Sequence, residues 1–182
     1  MKERATTTGK TKSAIAVERL LNELARVASM EEKVAAKVAE TSFIAISDES
    51  IKRKLYQIMR ESRDQSLMLV SNVDGLDRLK ESYEERFVQV PPFLLGGKTE
   101  VETLENQLRA VKSLKIVYEG ILQLLDELGD KTEIKEEGVE TISGEVKSLV
   151  KDLLAAKKRQ IATIEEIIDH LGEARILKPR FL

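Results

Sequence analysis

The chain has 182 residues, with 30 Lys and Arg against 32 Asp and Glu, a net charge of −2, and 42% hydrophobic residues. This length makes one domain the default and supplies the apolar side chains for one sizeable core. The balanced charge argues against nucleic acid as the main partner, and no apolar run approaches the ~18 residues of a membrane span. Without cysteine there is neither a disulfide framework nor a thiolate metal site. The N-terminus MKERATTTGKTKS lacks the apolar stretch of a secretory signal, so a cytoplasmic protein is expected. Charged residues at 34%, with no Trp and no Cys, give a thermophile-like composition.

Residues 1–12 read as a flexible polar arm. Within it Thr8-Gly9-Lys10-Thr11 resembles the end of a phosphate-binding loop, but Arg4 stands where the first Gly is required and no strand precedes it. Gly97-Lys98-Thr99 fails in the same way, with Pro92 at the required Gly. A first helix is predicted over residues 13–40, because Val17, Leu20, Leu21, Leu24, Val27, Ala28, Val34, Ala35 and Val38 form one apolar stripe. A short connection over residues 41–47 follows. Ser47 or Asp48 caps a second helix that runs to Gly75 and extends, if it continues, into the charged run at 77–81.

Pro91-Pro92 and Gly96-Gly97 break the helical pattern over residues 82–99. Thr99 and Glu102 form a capping-box pair for a third helix ending at Gly129. Residues 130–143 read as an acidic loop whose spacing does not match a calcium loop. A fourth helix is predicted over residues 144–171, with Gly172 as its stop. The remaining tail, residues 173–182, carries Ile176, Leu177, Phe181 and Leu182 and is expected to dock.

The second and fourth helices repeat one another. At an offset of 95, Leu55 falls on Val150, Ile58 on Leu153, Met59 on Leu154, Gln65 on Gln160, Leu69 on Ile164, Val73 on Ile168 and Leu76 on Leu171. The first and third align at an offset of 84, with Leu24 on Leu108, Val27 on Val111, Ser29 on Ser113, Met30 on Leu114, Val34 on Tyr118 and Val38 on Leu122. The chain is therefore two helical hairpins joined by a linker. Helices of ~27 residues are ~40 Å long, and a linker of roughly 18 residues spans ~60 Å when extended. A plain up-down bundle needs only a few residues there, so a long crossover with pseudo-two-fold symmetry is expected.

With this duplicated hairpin and crossover, residues 13–172 resemble the ferritin-like, rubrerythrin-type superfamily. RESRDQSLMLVSNVDGL and LAAKKRQIATIEEIIDHL are similar to its metal-binding helices. The resemblance implies an all-α, ferritin-like four-helix bundle. It also implies a di-iron centre held by a Glu-x-x-His element on each of the second and fourth helices and one Glu on each of the others. The ligands are replaced. The two His correspond to Gln65 and Gln160, their Glu partners to Ser62 and Lys157, and the single Glu positions to Val27 and Val111. Tyr118 is the residue that points back to Val111, because ferritins place a Tyr seven residues after that ligand.

The favoured reading of these six positions is that they pack the bundle centre, with Gln65 and Gln160 bonded to each other or to Ser62. The alternatives are a polar pocket for a small ligand, or a shifted metal site using Glu61, Asp64 and Glu23. His170, the one histidine, is expected in the last turn of its helix, where it suits the helix dipole. No nucleophile motif and no distinct acid–base pair stands out.

Two functional classes follow. The first is a metal-free, cofactor-free ferritin-like bundle, not an enzyme, that acts as a protein-interaction or self-associating module. The second is a ferritin-like oxidoreductase or metal-binding protein with a relocated site. The apolar residues of FLLGG (93–97) and of the tail motivate a homodimer; the other expected association is with a protein partner.

Overall fold

The computed structural model describes residues 12–86, 99–129 and 137–176, all in helices and their short joints. The chain is all-α: α1 Lys12–Ala45, α2 Glu49–Asn72, α3 Leu76–Arg86, α4 Glu100–Gly129 and α5 Glu137–Ile176. Among the described residues no helix is long and apolar enough to cross a membrane. The N-terminal arm, most of the Pro-Pro and Gly-Gly linker, and residues 177–182 of the tail lie outside the described residues.

The caps form where the sequence places them. Asp48 accepts hydrogen bonds from the backbone N–H of Ser50 (2.7 Å) and Ile51 (3.2 Å), which starts α2. Thr99 accepts from the Glu102 N–H at 3.1 Å and starts α4. Other boundaries differ from expectation. α1 runs five residues further, to Ala45. The second helix neither stops at Gly75 nor continues unbroken. It ends at Asn72, Gly75 turns the chain at φ +75°, and α3 starts at the buried Leu76. Residues 137–143, expected as loop, are the first two turns of α5. Gly172 does not stop α5, which continues to Ile176; a helical Gly costs only about 1 kcal/mol, and a stop requires a turn conformation that this chain does not adopt there.

Side-chain contacts fix the helix directions. Ser66 donates to the Ala28 carbonyl at 2.9 Å, while Val38 lines one cavity together with Leu55 and Met59, so α2 runs against α1. Lys112 pairs with Glu165 at 2.8 Å, and Lys147 with Asp126, so α5 runs against α4. Tyr118 bonds Glu31, and the Ser47 N–H bonds Glu100 at 2.9 Å, so α4 also runs against α1. Gln160 bonds Glu61 and Lys54 bonds Glu166, so α5 runs against α2. α2 and α4 therefore point the same way, so the end of α2 and the start of α4 lie at opposite ends of the four-helix assembly. α3 runs along α1, held by the Lys80–Glu32 ion pair.

The core lies between α1, α2, α4 and α5. It includes Leu24, Val27, Leu55, Leu69, Val111, Leu114, Ile121, Val150 and Ile164, all at or near zero exposure. Several residues paired by the repeat, such as Leu55 with Val150, Leu69 with Ile164 and Val27 with Val111, are both buried, whereas Leu24, Val38 and Leu76 are buried and their partners Leu108, Leu122 and Leu171 are only partly so. Each such side chain contributes about 1.5–3 kcal/mol by leaving water.

Candidate functional site

Four helices bring polar side chains together at the middle of this core. Lys157 of α5 and Glu31 of α1 are both fully buried, and their Nζ and Oε2 atoms are 2.6 Å apart. The ammonium also donates to Ser62 Oγ of α2 (3.1 Å) and to Gln160 Oε1 of α5 (2.9 Å). All three of its N–H bonds are thus used. The other carboxylate oxygen of Glu31 accepts from the Tyr118 hydroxyl of α4 at 2.9 Å. Gln160 carries the chain of hydrogen bonds outward, because its Nε2 donates to Glu61 Oε2 at 3.0 Å. Glu61 is half-buried and accepts from Gln57 at 3.0 Å through its other oxygen.

These bonds exist because each group is desolvated. An unpaired buried charge costs several kcal/mol, so the pair persists only when both ions are neutralised and hydrogen-bonded. Burial lowers the Lys157 ammonium below the usual lysine value, while the charge and hydrogen bond of Glu31 oppose that shift. Burial also pushes the Tyr118 phenol well above its usual value, and the Glu31 charge pushes it further. On the solvent side of Gln160 lies a groove of about 280 Å³ between α2 and α5. It is lined in part by Lys54, Gln57, Glu61, Arg159 and Thr163.

All six expected positions, Val27, Ser62, Gln65, Val111, Lys157 and Gln160, are buried. The structure does not bring them into one cluster. Ser62, Lys157 and Gln160 meet in the network. Val27 lies one turn before Glu31 and Val111 two turns before Tyr118. Since α1 and α4 run in opposite directions, the two valines fall on opposite sides of the network level. The expected pairing of Gln65 with Gln160 or Ser62 does not occur. Gln160 and Ser62 are taken by Lys157, and Gln65 Oε1 is buried without a partner. Lys157 lies fully inside, held by Glu31.

The alternative metal residues stay apart. Asp64 is exposed and pairs with Arg60 at 3.9 Å, Glu23 pairs with Arg26 at 3.3 Å, and Glu61 holds two amides. Among the described residues no group of three or more His, Cys, Asp or Glu is placed to hold a metal ion. His170 is not in a last turn, since α5 continues for six more residues. It stands beside the start of α2, near Ser50 and Lys54, where its charge adds weakly to the hydrogen bonds that lower the Asp48 carboxyl.

Glu31 is the residue that sequence reasoning missed. Its signal was present: it lies four residues after Val27 and three before Val34, on the apolar stripe itself. The chain matches no protein-family model and no curated protein.

Proposed function

We propose that this chain is a ferritin-like four-helix bundle, cytoplasmic and metal-free, whose central site is filled by an internal ion pair and which acts through its surface as a protein-interaction or self-associating module. The parallel course of α2 and α4 supports the ferritin-like topology. The observation that carries the metal-free reading is the buried Lys157 ammonium with its three acceptors.

A di-iron centre does not fit these residues. It brings four positive charges and requires several carboxylates and imidazoles aimed into one cavity. This centre offers one fully buried carboxylate, Glu31, already neutralised by a cation. The surface role draws on the exposed Tyr56, Leu67 and Met68 of α2.

Elemental analysis of protein purified without a His tag tests this reading. The expected result is far less than one metal ion per chain. About two equivalents of iron or manganese, lost on Glu61→Ala, would instead establish a redox or metal-carrying protein with a relocated site. Light scattering at micromolar concentration tests the homodimer, which a monomeric mass excludes.

A further inference from the structure

We propose that Lys157 is a carbonyl-binding lysine, whose amine captures a small α-oxo acid entering along the groove between α2 and α5 and holds it as a reversible imine. The inference goes beyond the metal-free bundle and does not depend on it.

Stability alone gives no reason for this lysine. A hydrophobic pair of similar volume is often as stable as a buried ion pair, or more so. What Lys157 adds is an amine in a dry site, hydrogen-bonded to a side chain, Gln160, that itself lines the groove; a desolvated amine is the form in which lysines become nucleophiles. Burial disfavours its charged form.

The groups facing it from each packed helix supply the proton handling. Glu31 of α1 is at 2.6 Å, Ser62 of α2 at 3.1 Å, and Tyr118 of α4 sits on the far oxygen of Glu31; Glu61 of α2 lies beyond Gln160. Gln160 both lines the groove and touches the amine, so rotation of this one side chain off Glu61 opens the way in. The acid is selected at the groove. Its cations are Lys54, engaged by Glu166, and Arg159, which has no ion-pair partner among the described residues. A guanidinium in that position suits a carboxylate.

The step balances within the network. The ammonium passes one proton to Glu31, and the free amine attacks the carbonyl carbon to form a C–N bond. The resulting alkoxide takes the proton from Glu31, and the nitrogen returns one of its own to the carboxylate. That proton then leaves with the hydroxyl as water. The products are a protonated imine on Lys157, a Glu31 carboxylate and one water.

The full-length protein is incubated with pyruvate and cyanoborohydride near neutral pH, and each lysine is mapped by peptide mass spectrometry. Lys151 and Lys158, exposed on the same helix, are internal references. The expected result is a reduced adduct on Lys157 formed about tenfold faster than on either reference. Arg159→Gln is expected to slow pyruvate labelling of Lys157 by about tenfold and to leave labelling by acetaldehyde unchanged. Labelled references with a bare Lys157, or equal rates at all three, overturn the proposal. Pyruvate labelling that ignores Arg159→Gln overturns the α-oxo acid assignment. All rates are read in folded protein with Lys157 intact, so no unstable variant is required.

Discussion

Ser62 and Gln65 on α2 occupy the same positions of the internal repeat as Lys157 and Gln160 on α5, and all four are buried. Their bonding is unlike. Gln160 uses both ends of its amide, accepting from Lys157 and donating to Glu61, whereas Gln65 Oε1 has no partner. The contrast continues one helix away. Glu31 is buried opposite Lys157, but its counterpart at the offset of 84 is Lys115, which pairs with Glu119 at 2.8 Å at the surface. The duplication reproduces which side of a helix is buried. It does not reproduce polar connectivity, because a charge placed in one half requires its countercharge from an element that the repeat does not supply.

The sharpest break of this comparison is Glu31→Ala. It leaves the Lys157 ammonium desolvated and unpaired, so urea denaturation is expected to show a loss of about 3–5 kcal/mol. Glu31→Leu combined with Lys157→Met removes both charges but leaves the Tyr118 hydroxyl and the Gln160 carbonyl oxygen without their partners, so it is expected to cost about 1–3 kcal/mol, less than the single variant. A single variant as mild as the double one would mean that water reaches the pair.

The two glutamines come next. Gln160→Leu removes an acceptor from Lys157 and a donor from Glu61, with an expected cost of about 1–3 kcal/mol. Gln65→Leu loses no bond at its carbonyl oxygen and is expected to lie within about 1 kcal/mol of the parent, on either side. Equal costs on thermal melting would erase the asymmetry between the repeats.

The pH dependence of stability sharpens it further. Tyr118 has a raised folded value, so it contributes stability that is fully present below the usual phenol pKa of 10.0 and lost as pH rises through the folded value. Lys157 acts in the opposite sense. Its folded value is lowered, so stability rises with pH between that value and 10.5. Tyr118→Phe is therefore expected to flatten the alkaline loss of stability and leave the rise below it in place. Denaturation curves taken across the alkaline range would show an unchanged fall if Tyr118 were solvated.

The smallest effect is expected at the surface. Lys112 and Glu165, each about half exposed, form an ion pair between α4 and α5. Lys112→Ala is expected to change stability by no more than about 0.5 kcal/mol, a difference that shrinks as salt is added. A loss rivalling that of Gln160→Leu would place the stabilising charges outside the core.

Much of the scaffold was legible in the sequence. The apolar stripe from Leu20 to Val38, the caps at Asp48 and Thr99, and the burial of all six repeat positions follow from spacing and local hydrogen-bonding capacity. These depend on residues a few places apart. The ends of α5 were misread because its first turns are polar and carry no stripe, and because a glycine permits a helix stop without forcing one. The break at Gly75 was hidden by the apolar pattern that runs on through Leu76. At the site, Lys157 and Gln160 were singled out, but Glu31 was one acidic residue among 32. Only the packing of four helices decided that a carboxylate 126 residues away meets Lys157. Local periodicity reports that a side chain is buried. Which charge it faces there depends on the relative height and rotation of helices set by the whole core.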